Sequence, residues 1–367
     1  MNEIVLHPNV YTTGPSSGLR HLLERIWVHQ HAPGDGTLFL ISGFANYNGG
    51  VRFYETFKRH CQHGGQINAI FAGSTAQRTT SKQVVREMLG CGASVTIVNR
   101  KRMLHAKCYG MGDSDGETLI VTSGNFTGPG MSQNVEASAL ITPQTTQEMG
   151  FLWADMVHNI QAQDWMFYQP SLDDLASPAW SLLYDEEAKG RPLEETETVT
   201  MVLVLSHSDT ARINAAPGTD AGRGTQYFWL TKDCYDFFPA LTIPNQRGTR
   251  ATYSCLITIN FVDLGETHTG IRVTFEAENN LDFRLGTGPL RYSQLAEEGD
   301  IAAISRVGED SYELRLYRKG TAEFEALAPY AVHYIGHQGK RYGYLANSLF
   351  AAEVGLRRVG SSRASRD

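Results

Sequence analysis

No apolar run in this chain approaches the length of a membrane span, and the start, Met1-Asn2-Glu3, has neither the basic flank nor the apolar core of an export signal. The expectation is a cytoplasmic protein with no membrane partner. Cysteine is scarce: Cys61, Cys91, Cys108, Cys234 and Cys255 are scattered, odd in number and without C-x-x-C spacing, which argues against a disulfide framework and a structural zinc site. His60-Cys61-x-His63 precedes Gly64-Gly65, so it reads as a helix-end turn rather than a metal site. No metal and no cofactor is expected. Internal repeats are lacking too. So is an excess of positive charge: the net charge of −7 is awkward for contact with phosphates, although local patches rather than the sum decide binding.

At 367 residues, with 41% apolar and 19% charged residues, the chain is too long for one ordinary core and has a globular composition. Residues 1–170 alternate strand and helix signals. Leu19, Leu22, Leu23, Ile26 and Trp27 share a helical face, with Ser16 or Ser17 placed to cap it. Further helices are expected around Phe53 to Phe57, around Val84 to Leu89 with Gly90 as the stop, and along 149–160. Strands are expected at 38–41, 67–71, 95–98, 103–109, 118–122 and 135–141. This is an α/β layered domain with helices covering a mixed sheet. Residues 171–197 carry Pro178, Gly190, Pro192 and many acids, and read as an acidic linker. Residues 198–358 show strands with turn punctuation, which suits an all-β barrel. The tail, 359–367, reads as disordered.

The chemistry concentrates in His105-Ala106-Lys107, Ser123-Gly124-Asn125 and Glu136. If 103–109 is extended, His105 and Lys107 project side by side while Leu104, Ala106 and Cys108 face the core. A phosphodiester repels nucleophiles, so metal-free attack needs a cation and donors on the non-bridging oxygens, a nucleophile, and an acid for the leaving alkoxide. Lys107 supplies the charge, Asn125 and Ser123 the donors, and His105 a nitrogen nucleophile. The bland alternative is a partly buried strand with a satisfied histidine.

These residues resemble the phospholipase D superfamily motif, H-x-K followed by G-S-x-N. The superfamily acid five residues after Lys107 is replaced by Gly112, and the first glycine of G-S-x-N by Thr122; Asp113 and Asp115 fall in a turn-rich loop. Longer runs are similar to the BfiI-like restriction endonucleases: 38–44, Tyr47-Asn48-Gly49-Gly50-Val51-Arg52-Phe53-Tyr54-Glu55, Ser123 through Asn134, Asp209-Thr210-Ala211-Arg212, and Gly224-Thr225-Gln226-Tyr227-Phe228-Trp229. The resemblance runs from His7 to about Gly343. It implies a phospholipase D-like nuclease and dimerisation domain followed by a B3-like pseudobarrel that reads DNA. In that family Glu136 is the matching acid, bonded to the other ring nitrogen of His105.

The superfamily uses two H-x-K motifs and this chain has one. Two copies are therefore expected to pair as a homodimer with one composite centre, where one His105 attacks, forming a phosphohistidine, and its mate protonates the leaving oxygen. The expected activity is metal-independent, type IIS-like cleavage of double-stranded DNA, as in a restriction–modification system, with the strands cut one after the other. Arg212, Arg223, Thr225, Trp229, Arg247 and Arg272 are the candidate DNA-binding group. Carboxylates across 173–197, among them Asp185, Glu186 and Glu187, lie over the catalytic cleft in this view, or form a solvated linker. The alternatives are a phospholipase D-type phosphodiesterase on a substrate other than DNA, and a DNA-binding regulator with an inactive nuclease domain.

Overall fold

The computed structural model describes residues 2–7, 18–100, 103–188, 190, 193, 198–247, 250–276, 283–335 and 340–356. The chain divides into two units, the first ending at Glu187 and the second running on from Ala188.

The first unit is built on strands β1 (Glu3–His7), β2 (Thr37–Ser42), β3 (Gln66–Ala72), β4 (Ser94–Asn99), β5 (Lys107–Asp113), β6 (Gly116–Thr122), β7 (Glu136–Ile141) and β8 (Met166–Tyr168). They form one sheet in the order β1-β7-β6-β5-β2-β3-β4-β8. Among the described strands the neighbours β2–β3 and β3–β4 pair in parallel and the other pairs are antiparallel, so the sheet is mixed, as expected. Its helices are α1 (Leu19–Glu24), α2 (Tyr47–Gly50), α3 (Tyr54–Gln62), α4 (Lys82–Gly90), α5 (Gly128–Ser132), α6 (Pro143–Met149), α7 (Trp153–Gln161) and α8 (Pro178–Ser181). Alternation along β5 sends Tyr109 and Cys108 to opposite faces. On Tyr109's side, Trp27 packs edge-on against Phe53, Phe57 and Tyr109. On Cys108's side, Trp153 stacks on Phe39 at 4.9 Å within a cluster that includes Ile41, Ile70 and Leu119. Two apolar faces covered by helices give the layered architecture.

Several boundaries differ from the expected ones. The strand expected at 103–109 begins only at Lys107; 103–106 is irregular and Ala106 is exposed rather than in the core. The helical face expected along 149–160 is broken: Gly150 adopts φ 65°, its N–H and that of Phe151 close α6 onto Gln147 and Thr146, and α7 starts afresh at Trp153. By contrast α4 does stop at Gly90, as expected, and the left-handed residue beyond it is Gly92. Gly18 precedes α1 as its cap, and the expected caps Ser16 and Ser17 lie outside the described residues.

The stretch expected to be a linker from 171 is docked onto this unit as far as Glu187. Tyr184 N–H donates to Thr80 O (3.1 Å), Lys82 N–H to Tyr184 O (2.8 Å), and the Arg78 guanidinium lies 4.2 Å over the Tyr184 ring. Trp180 is buried. Of the remaining acids, Glu194, Glu195 and Glu197 lie outside the described residues, as does the tail 359–367.

The second unit is all-β at its core. Its strands are β9 (Val199–Val204), β10 (Tyr227–Leu230), β11 (Ile243–Arg247), β12 (Arg250–Phe261), β13 (Glu266–Glu276), β14 (Phe283–Gly286), β15 (Ile301–Arg306), β16 (Ser311–Tyr317), β17 (His333–Ile335) and β18 (Lys340–Ala346). The sheet order is β10-β14-β13-β12-β16-β15-β9-β18-β17, with β11 paired to β12. Phe228, Leu285, Val273 and Cys255 lie in register across four strands and are all buried. The two ends of the sheet come together: Lys340 of β18 donates to Trp229 O of β10. The expected pairing of an α/β layered domain with an all-β, barrel-like one is therefore what the chain forms.

Candidate active site

Ser42, the last residue of β2, pairs with Lys107, the first of β5. Gly43 then passes flush against the incoming chain; a Cβ there would sit 2.7 Å from Leu104 O and 3.2 Å from the His105 Cα. Glycine is required at this crossing because any side chain would push the His105 backbone away. Lys107 is buried and His105 is exposed. The ammonium of Lys107 donates to His105 O at 2.8 Å and stands 2.9 and 3.1 Å from Nδ1 and Nε2 of the same residue. Burial pushes the Lys107 ammonium below the usual lysine range, while the Glu136 carboxylate pulls it back up. The Phe44 ring stands edge-on to the imidazole with centroids 6.4 Å apart.

Glu136 opens β7 and is buried. Its carboxylate accepts from the Ser123 hydroxyl and from Asn134 Nδ2 (3.0 Å), and Ser123 Oγ in turn accepts from Ala137 N–H (3.0 Å). The bond expected from Glu136 to the His105 ring is not formed among the described residues. The acid is satisfied by its own strand's neighbours, so it acts on Lys107 through charge. Asn125 Oδ1 accepts from Phe44 N–H at 3.2 Å, which leaves its NH₂ group without a protein acceptor among the described residues. Ser42 Oγ accepts from Phe126 N–H (3.0 Å) and donates to Phe44 O (2.7 Å), and Tyr109 OH donates to Gly124 O (3.0 Å), so the 123–126 run is fixed from beneath.

His105, Lys107, Ser123, Asn125 and Glu136 are thus gathered at the ends of β2, β5, β6 and β7. Sequence reasoning did not single out Asn134, Ser42 or Phe44. All three lie in runs that carry the resemblance, which is the signal that reaches them. Asp113 and Asp115 sit in the β5–β6 hairpin turn, Asp113 Oδ1 accepting from Asp115 N–H (3.0 Å). The metal-like run ends a helix: α3 stops at Gln62, and His63 Nδ1 lies 2.7 Å from Arg59 O.

In the second unit, Asp209 is the hub. It caps the short helix α9 (His207–Thr210) by accepting from Ser206 N–H (2.8 Å), accepts from Trp229 N–H (2.8 Å) and pairs with the buried Lys340 at 2.6 Å, while its main-chain oxygen accepts from Gln226 Nε2 (2.6 Å). This brings 209–212 and 224–229 together. Arg212 Nε donates to Arg223 O (2.7 Å) beneath Gly224, whose φ of 87° turns the loop. Arg223 and Thr225 are exposed; Arg212 and Trp229 are half-buried. Arg272, exposed on β13, has its main chain beside Gly286, which pairs with Tyr227. Arg247 is apart from this group, at the end of the β11–β12 hairpin opposite Arg250, and its side chain lies outside the described residues. Sequence reasoning missed Arg284, which is buried between the Tyr227 and Trp229 rings (5.4 and 5.5 Å) and faces Glu276 (3.7 Å), the partner also of Arg250 (3.0 Å).

An α/β unit bearing a histidine–lysine pair, followed by a barrel-like unit with two exposed arginines, Arg223 and Arg272, defines a two-domain class in which one domain can react and the other can bind. Residues 193–357, which span most of the second unit, match the family described as the metal-independent restriction enzyme BfiI DNA binding domain. No curated protein matches the chain. Among solved structures, Nuc of Salmonella typhimurium, a phospholipase D family member, is similar at 13% identity over 46% of this chain and 99% of its own, with a TM-score of 0.32. NucT from Helicobacter pylori gives 12%, the same coverages and 0.32. The phosphatidylserine synthase of Haemophilus influenzae Rd KW20 gives 12% over 49% of this chain and 44% of its own, with 0.30.

Proposed function

We propose that this chain is a metal-independent, restriction-type endonuclease that cuts double-stranded DNA through a covalent phosphohistidine, with the second unit reading the sequence. The observation that carries the proposal is the exposed imidazole of His105 held 2.9 Å from a buried ammonium. Oxygens of a bound phosphodiester compete for the Lys107 protons, and with them for those of the Asn125 NH₂. The imidazole lone pair is then free to attack phosphorus. The P–N bond forms as the P–O bond to the leaving alkoxide breaks. Water later cleaves the P–N bond and returns the histidine.

The leaving alkoxide needs a proton that the attacking ring cannot give, and one H-x-K per chain supplies no second ring. We assign that role to His105 of a second copy in a homodimer. In support, Ile4 (88% exposed) and Leu6 of the edge strand β1 align with Ala139 and Ala137 of β7, and Ala139 with Val121 of β6, which is 44% exposed. An open apolar sheet face of this kind marks an interaction surface. With one centre for two strands, the cuts fall in sequence and a nicked plasmid accumulates first.

The test is plasmid cleavage in excess EDTA. The wild type cuts at defined positions and forms an acid-labile phosphoenzyme. His105→Ala neither cuts nor labels, yet shifts the same DNA in a gel. Retained cleavage by His105→Ala, or an absolute demand for a divalent ion, refutes the proposal.

A further inference from the structure

We propose, resting on the nuclease reading above, that Glu186 is a positioning residue for the His105 centre. Its carboxylate anchors the far end of loop 43–47, whose near end sets Asn125 and the imidazole.

Glu186 belongs to the stretch that composition marks as an acidic linker, but it does not behave as a solvated acid. Its backbone N–H donates to Gln83 Oε1 at 3.0 Å, and the chain beside it is tied down through Tyr184. The stem is half-exposed while the carboxylate turns inward. There it accepts from Tyr47 N–H at 2.8 Å and from the hydroxyl of Ser81. Burial raises the acid to about 7, offset in part by Ser81, Tyr47 and Arg78. A carboxylate sunk at such a cost to its ionised form, in a segment with exposed acids on either side, is explained by what it holds.

What it holds is the first N–H of α2. The opening N–H groups of a helix have no partner within the helix, and Asn46 Oδ1 already serves Gly49 N–H (3.1 Å) and Gly128 N–H (3.0 Å). Glu186 supplies the acceptor for Tyr47. From that point back to the reactive residue the chain is fastened at each step. Asn46 N–H donates to Phe126 O (3.1 Å). Ala45 N–H donates to Thr79 O (2.8 Å), and Ala45 O accepts from Ser81 N–H (3.0 Å). Phe44 N–H holds Asn125, its ring stands against His105, and Gly43 abuts the His105 backbone. Ser81 is therefore shared: it takes Glu186 on its hydroxyl and Ala45 on its amide. Five residues of loop connect an acid outside the chemistry to the groups inside it.

Removing the carboxylate frees Tyr47 N–H and Ser81, and the loop loses its far support while the β2–β5 crossing stays. Misplacement of reacting groups by about 1 Å costs on the order of 100-fold in rate. Glu186→Ala should therefore cut 10- to 100-fold more slowly in single turnover at saturating DNA, by order of magnitude, with the dissociation constant for DNA unchanged. Glu186→Gln keeps an oxygen for Tyr47 N–H and restores most of the rate. Glu187→Gln, which removes the neighbouring exposed charge, cuts as the wild type. In the full-length protein, hydrogen exchange of the 43–47 amides speeds up in Glu186→Ala and returns toward the wild-type rate in Glu186→Gln. The inference is overturned if Glu186→Ala cuts at the wild-type rate, if its loss lies in DNA affinity, if Glu186→Gln fails to rescue, or if 43–47 exchange is unmoved. A wild type that never cuts refutes the nuclease reading instead, and exchange still decides whether Glu186 anchors the loop.

Discussion

Glu24 is a carboxylate of the first unit whose buried ion pairs yield a magnitude. It lies within α1, buried with both of its partners: Arg20, one turn earlier, at 2.8 Å, and Arg52, between α2 and α3. Burial alone would raise this acid, but the two guanidinium groups, with His21, hold it down at about 2 against an ordinary 4.5. At about 1.4 kcal/mol per pH unit, that fall corresponds to about 3 kcal/mol of folding free energy. Because the folded value is the depressed one, the stabilisation is complete above 4.5 and drains away as pH falls toward 2. At pH 3 a little over 1 kcal/mol of it remains by the same linkage.

Glu24→Gln leaves two buried guanidinium groups facing an amide, a change that costs about 3–5 kcal/mol when one partner of a buried pair is removed. The assay is urea unfolding of the full chain at pH 7 and pH 3, followed by tryptophan fluorescence. Four of the five tryptophans (Trp27, Trp153, Trp165 and Trp180) lie in the first unit, so its transition dominates the signal. The wild type should exceed Glu24→Gln by about 3 kcal/mol at pH 7, and the gap should narrow by about 2 kcal/mol at pH 3. A gap under about 1 kcal/mol at neutral pH, against the cost just cited, or one that does not shrink in acid, refutes the reasoning.

Three further outcomes follow from other parts of the molecule. Lys107→Met keeps the stem but removes the ammonium beside His105; cleavage should fall at least about 100-fold with DNA affinity unchanged, as for loss of one oxyanion donor, and a rate within a few-fold of wild type would contradict its role. Asp209→Asn uncouples a fully buried acid from Lys340, and should destabilise the second unit by about 3–5 kcal/mol; unaltered thermal unfolding and unaltered DNA binding together would count against the hub. Gly150→Ala meets no atom within 4 Å of the new Cβ, so only the left-handed backbone (φ 65°) resists it; a loss of about 1 kcal/mol is expected by denaturant unfolding, and a neutral substitution would show that α6 and α7 can rejoin.

Much of the first unit was legible because its strands are short apolar runs and its helices carry one apolar face. The errors fall where tertiary contacts override the local pattern. The stripe from Met149 to Ile160 has helical spacing throughout, and periodicity gives no sign that Gly150 turns the chain between two helices. His105 lies outside β5 because the alternation Leu104, Ala106, Cys108 says nothing about the crossing of Gly43, which sets where pairing can begin. Composition misled at 171–187: acids and prolines suggested solvent, but Trp180 meets Arg86 of α4, Tyr184 meets Arg78, and the carboxylate of Glu186 takes Tyr47 N–H. The barrel strands were found by turn punctuation, whereas their closure depends on Lys340 reaching Trp229 and Asp209, a contact of high sequence separation that no local window contains.

The runs that carry the family resemblance divide by what they do in the structure. Asp209 and Gln226 face inward and tie α9 to β10; Arg52 braces Glu24; Ser42 and Asn134 hold the backbone and the acid around His105. Among these groups His105, Asn134 and Thr225 are exposed and Asn125 is half-buried. A resemblance dominated by such inward residues specifies the framework that places the reactive groups. Under the proposed DNA-reading role it leaves open which base pairs are read, because exposed side chains such as Arg223 and Arg272 lie outside the buried network. Specificity is therefore free to change without refolding the domain, whereas a change at Asp209 or Arg52 alters the fold before it can alter the chemistry.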